Sequence, residues 1–136
     1  MPDSLFTRGL LGLAGLVGLS VGAGIVFAPV AFHATSGIHL GSDVNLANEM
    51  RAAGGPILAG SLFILAGAVR HRLIRPALAL ATLLYLSYGA ARLVSMAVDG
   101  SPGQALVLVA MFECVIGTAC GLALLAHRGS PARKDV

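Results

Sequence analysis

Residues 92–113 read "RLVSMAVDGSPGQALVLVAMFE". An arginine opens the stretch, a glutamate closes it, and the turn "DGSPG" at 99–103 divides two apolar arms. Both arms extend further, from Pro76 to Val98 on one side and from Gln104 to Ala126 on the other. Each is close to the roughly 20 apolar residues that a membrane-crossing helix needs. The stretch therefore reads as two antiparallel spanning helices joined at one membrane face. At helical rise, Arg92 stands on the order of 10 Å below that face and Glu113 on the order of 13 Å. A lone charge at such depth costs about 2.5 to 3.5 kcal/mol on insertion scales, so a pairing of Arg92 with Glu113 is expected.

Working outward, two more spans precede these. Gly9 to Phe32 carries no charge, and Ala47 to Val69 confines its charges to its start, within "NLANEMRAAGG" at 45–55. The expected architecture is all-α, an integral membrane four-helix bundle forming a single domain over 1–136, with a polar tail at 127–136. Composition agrees. The 136 residues are 57% hydrophobic and 11% charged, with a mean hydropathy of +0.88. A water-soluble domain carries about a quarter charged residues, so much of this surface must face lipid. Pro76 and Pro102 fall where helix starts accept proline.

Arg8, the trio Arg70, Arg72 and Arg75, and the tail residues Arg128, Arg133 and Lys134 fall on one side of the four-span reading. The opposite loops hold Asp43 and Asp99 and neither lysine nor arginine. The positive-inside rule then places both termini in the cytoplasm of a bacterial inner membrane. The first span exceeds the about 7 to 15 apolar residues of a signal peptide and lacks a small-x-small cleavage site, so it is expected to remain. The lines Ala14, Gly18, Gly22 and Gly117, Gly121 predict close helix packing.

The third span carries Thr82, Tyr85, Tyr88, Arg92, Ser95 and Asp99 at spacings of three or four, hence on one stripe. Lipid cannot satisfy such a stripe, so it must face the bundle interior or water. On the fourth span Ala110, Glu113, Gly117 and Cys120 share a face, and on the second Asn48, Ala52, Gly55 and Ala59 do. Small residues opposite polar ones leave room for a cavity in the outer half. Glu49 and Arg51 enter from the same side. The candidate ligand-binding set is thus Asn48, Glu49, Arg51, Tyr85, Tyr88, Arg92, Ser95, Asp99 and Glu113. The alternative is an ionic lock that only fixes the bundle. Asn45 or Asn48 is placed to cap the second helix, and Tyr85 and Tyr88 are expected to find partners inside.

Other chemistries find little support. Cys114 and Cys120 lie six apart on one helix, pointing to different sides, and no CxxC is present. His33 and His39 fall in the outer loop and His71 and His127 at the inner boundary, so no metal set and no mid-span haem ligands are expected. His33 is positioned to reach the outer mouth of the polar cluster. The basic residues do not alternate with aromatics, which leaves nucleic acid without a surface. No GxSxG, HExxH, Walker loop or dinucleotide fingerprint occurs, so no catalytic residue is assigned.

Three segments, "NEMRAAGGPILAGSLFILA", "YGAARLVSMAVDGSP" and "FECVIGTACGLALL", resemble a bacterial membrane family described as domain of unknown function 4345. The charged positions Glu49, Arg51, Arg92, Asp99 and Glu113 recur in order. The chain is more loosely similar to DoxX-like four-helix membrane proteins, some linked to quinone or sulfur redox chemistry. The resemblance implies a four-helix bundle and leaves function open.

The favoured function is a non-enzymatic binding or accessory bundle. Its partners would be membrane lipids, a small amphipathic ligand or a larger membrane complex, with a homo-oligomer as a further arrangement and no resident cofactor required. One alternative is a membrane enzyme or quinone-linked redox accessory, with Glu113 as acid/base beside Arg92 and Tyr88 and a lipid or quinone as its group. The other is an oligomeric proton-coupled carrier.

Overall fold

A computed structural model describes residues 5–128. The expected tail residues Arg133 and Lys134 and the side chain of Arg128 lie outside that description. Helices α1 (Leu5–Phe27), α2 (Pro29–Ala34), α3 (Val44–Val69), α4 (Ile74–Asp99) and α5 (Gln104–Arg128) follow in order, with a tight 3₁₀ turn at His71–Leu73 before α4. Four of them, α2 excepted, are long and apolar enough to cross a membrane.

The first span differs from the expected Gly9–Phe32 run. Pro29 pushes the preceding residue out of helical space, and Ala28 adopts φ −139°, ψ 55°. Pro29 then opens the short α2, where its missing N–H costs nothing. The second span begins at Asp43 rather than at an asparagine. The Asp43 carboxylate accepts from the backbone N–H groups of Asn45 at 2.9 Å and Leu46 at 3.1 Å. Helix α3 continues through Pro56, which removes one backbone hydrogen bond from its interior.

Helix α1 packs along α3 and α4 along α5, while α3–α4 contacts and sparser contacts of α1 with α4 and α5 join the two pairs. Glycine sets both intimate pairings. A Cβ at Gly22 would stand 2.6 Å from the Leu58 backbone nitrogen, and one at Gly117 would stand 2.9 Å from that of Leu86. Gly15, Gly18 and Gly22 form the ridge that α1 lays on α3, and Ala14 turns instead toward the core. Between the pairs, Leu11, Ala14, Ile64, Leu78, Ala81 and Cys120 are almost fully buried. Leu83, Val94, Val115 and Leu122, exposed by 63–70%, form the outward face that suits lipid.

Arg8, Arg70, Arg72 and Arg75 mark one end of the bundle, where an Arg8 guanidinium N–H reaches the Val69 carbonyl at 3.5 Å. The loop over residues 35–43 and the turn over 100–103 mark the other. The packed core fills the arginine end.

Candidate functional site

The loop end of the bundle holds a cavity of about 750 Å³. Its walls come from the loop-end halves of all four long helices: Val17 to Ile25 of α1, Met50 and Ile57 of α3, Leu84 to Arg92 of α4, and Leu106 to Glu113 of α5. The segment from Phe32 to Leu40 roofs it, with Leu40 turned inward and only 5% exposed. Gly37 (φ +76°) and Gly41 (φ +59°) supply the left-handed backbone that this roof needs on either side of Leu40. Leu108 and Phe112 line the cavity and are among the exposed apolar residues of α5.

The lining is largely apolar, and its charged groups gather on one wall. Arg92 Nε donates to Glu113 Oε2 at 2.9 Å. Gly89, one turn before Arg92, makes this reach short. A Cβ there would come within 2.7 Å of Cys114 Sγ and 3.6 Å of Glu113 Cβ, so α4 and α5 touch almost backbone to backbone. The Glu113 side chain is 12% exposed and the Arg92 side chain 32%. The remaining guanidinium N–H groups and the second carboxylate oxygen have no hydrogen-bond partner among the described residues. Arg92 also borders a smaller void of about 90 Å³ with Ser95, Met96 and Pro102.

Tyr85 and Tyr88 divide in role. The Tyr85 hydroxyl donates to the Ala14 carbonyl, and its ring meets Phe112 edge-on at 6.3 Å, so Tyr85 ties α4 to α1 as the cavity floor. Tyr88 lines the cavity, half-buried, with no hydrogen-bond partner for its hydroxyl among the described residues. The expectation of an internal partner thus holds for Tyr85 and not for Tyr88.

The structure separates the rest of the expected cluster. Ser95 donates to Asp99 at 3.0 Å on an exposed surface past the end of the ion pair. Asn48 and Glu49 are exposed and do not line the cavity, and neither does Arg51. Arg51 instead donates from Nε to the Val26 carbonyl at 3.1 Å, on the last turn of α1 just before the Ala28 break. There its charge meets carbonyls that the helix end leaves without donors. The Asn48, Ala52, Gly55, Ala59 face points outward, and the inward face runs Gly54, Ile57, Ser61, Ile64. The reason is packing: the α1 glycines demand close contact with Leu58, Ser61 and Leu65, and that contact fixes the rotation of α3.

His33, Ser36 and His39 of the roof join the lining, and only His33 is expected at the mouth from the sequence. The His33 ring is held by its own helix, with Nδ1 2.8 Å from the Pro29 carbonyl and Phe32 set edge-on. The Ala28–Pro29 dipeptide is the available signal that the first span ends early and lays a roof across the bundle. Among the described residues no three histidine, cysteine, aspartate or glutamate side chains converge as a metal set.

The family model described as Domain of unknown function (DUF4345) matches residues 6–124. Neither a curated protein nor a solved structure matches the chain.

Proposed function

The chain belongs to the DUF4345 family, and from the shape of its cavity we propose that it is a non-enzymatic, membrane-embedded binding protein for a small amphipathic molecule. One observation carries the reading: an apolar cavity of about 750 Å³ whose charged groups converge on a single wall at Arg92 and Glu113. A volume of several hundred cubic ångströms, mostly apolar with a few convergent polar groups, is the usual form of a small-molecule site. The apolar walls suit a hydrocarbon tail, and Tyr88, Arg92 and Glu113 suit a polar head. The excess of arginine at the far end favours a bacterial inner-membrane orientation with both termini cytoplasmic, and the cavity then sits in the outer leaflet.

The test is native mass spectrometry of the protein gently extracted from its own membrane. A cavity-filling variant, Val21→Phe, is compared with Leu83→Phe, which adds the same ring on an exposed face away from the cavity. The expected result is a bound amphiphile on the wild type and on Leu83→Phe, lost from Val21→Phe. An empty wild-type protein, or equal occupancy in Val21→Phe, overturns the reading. Reporter fusions to the two termini test the orientation separately.

A further inference from the structure

We infer that the cavity selects an amphiphile whose head group is uncharged and both donates and accepts hydrogen bonds, such as a hydroxyl-bearing head on a single acyl chain. This rests on the binding reading above and adds the chemical class of the ligand. The formal charge of the polar wall sums to zero, because Arg92 and Glu113 hold one another at 2.9 Å. The wall is nevertheless unsaturated. Arg92 keeps N–H donors, Glu113 keeps a carboxylate oxygen, and the Tyr88 hydroxyl has no partner among the described residues. Donors and an acceptor are thus offered together, within a setting that is otherwise largely apolar apart from His33, Ser36 and His39 of the roof.

Low dielectric makes this arrangement discriminating. An anionic head could claim Arg92 only by sharing it with Glu113, which would place two negative groups around one positive group away from water. A cationic head meets the converse problem at Arg92. A charge left without full compensation in such surroundings is expensive. A neutral head that accepts from Arg92 or Tyr88 and donates to Glu113 leaves the pair intact and satisfies the groups that now lack partners. The roof imidazoles, His33 and His39, are the further titratable groups facing the cavity. All three probes are therefore compared at one pH, 8, so that the state of the imidazoles is common to every measurement.

The experiment measures binding of three probes that share an oleyl-length chain: monooleoylglycerol, oleyl phosphate and oleyltrimethylammonium. Each is titrated against the folded, full-length protein in micelles at pH 8 and read by native mass spectrometry. The neutral probe is expected to bind about tenfold tighter than either charged one. Glu113→Gln leaves Arg92 uncompensated and is expected to move the preference to the phosphate, whereas Arg92→Gln moves it to the ammonium. The reversed pair, Arg92→Glu with Glu113→Arg, restores neutrality and is expected to prefer the neutral probe again. It also serves where a single variant does not fold. If all three probes bind alike, or Glu113→Gln leaves the ranking unchanged, the charge inference fails while the binding reading stands. If no probe binds the folded wild type, the binding reading fails and takes the inference with it.

Discussion

Arg92 and Glu113 form an ion pair at 2.9 Å between α4 and α5, at a level where Gly89 brings the two backbones nearly into contact. The pair is partly buried, which decides its energetics. Removing one partner leaves a charge whose desolvation is no longer offset, and the cost for fully buried pairs runs to about 3–5 kcal/mol. The Arg92 side chain is 32% exposed, so a smaller loss of about 1–3 kcal/mol is expected for Arg92→Met or Glu113→Leu alone. The double variant Arg92→Met with Glu113→Leu removes both charges and is expected to lose less than the sum of two single losses. Reversible unfolding in mixed micelles measures the cycle. A coupling energy below about 0.5 kcal/mol would show that the two side chains do not stabilise one another.

The glycine contacts predict a contrast within one residue type. At Gly22 an added methyl meets the Leu58 backbone at 2.6 and 2.7 Å, and backbone cannot step aside as a flexible side chain can. Gly22→Ala is expected to cost about 1–3 kcal/mol through forced separation of α1 and α3. Gly117→Ala, 2.9 Å from the Leu86 nitrogen, is expected to do the same to α4 and α5. Gly9→Ala and Gly12→Ala meet nothing within 4 Å, so they are expected to leave the unfolding midpoint unchanged or raise it slightly. Equal effects at Gly12 and Gly22 would contradict this account of the packing.

The four spans and the Arg92–Glu113 contact were legible because each follows from a single physical cause, the cost of exposing polar groups to lipid. Hydropathy sets where the helices lie, and two intramembrane charges on neighbouring helices have few ways to be satisfied except by one another. Helix rotation was less legible. Asn48, Ala52, Gly55 and Ala59 make as good an inward stripe by spacing as Gly54, Ile57, Ser61 and Ile64. The choice between them depends on where the α1 glycines admit a partner, which is a property of two helices together. The roof escaped the hydropathy reading for a local reason. Hydropathy runs smoothly through Ala28 and Pro29, and only the steric demand of proline on its predecessor breaks the helix there.

Arg51 gives a prediction that separates it from its neighbours. Its Nε donates to the Val26 carbonyl, on the last turn of α1, whereas the side chains of Asn48 and Glu49 make no hydrogen bond among the described residues. Arg51→Gln is expected to lower stability by about 0.5–1 kcal/mol and to speed amide exchange around Phe27 and Ala28, because the helix end loses a cationic donor. Lys at position 51 restores charge without the guanidinium fork, so Arg51→Lys is expected to recover part of the loss. Asn48→Ala and Glu49→Gln are expected to stay within about 0.5 kcal/mol of the wild type. A loss at Glu49 matching that at Arg51 would return Glu49 to an ionic network.

Ser61 offers the opposite sign. It is fully buried between α3 and α1, and its hydroxyl has no hydrogen-bond partner among the described residues. Gly18 faces it so closely that an added Cβ would overlap the oxygen, which leaves no space for a bridging water between them. A buried polar atom without a partner costs about 1–3 kcal/mol, and removing the oxygen also opens a small void. The two effects nearly offset, so Ser61→Ala is expected to be neutral or to stabilise by up to about 1 kcal/mol. Ser61→Val removes the same polarity but adds bulk against Gly18, and about 1–3 kcal/mol should be lost. Unfolding midpoints of the two variants, measured in the same micelles, decide the matter. If Ser61→Ala falls by more than about 1 kcal/mol, the hydroxyl is hydrogen-bonded in the membrane and the tight Gly18–Ser61 contact must relax to allow it.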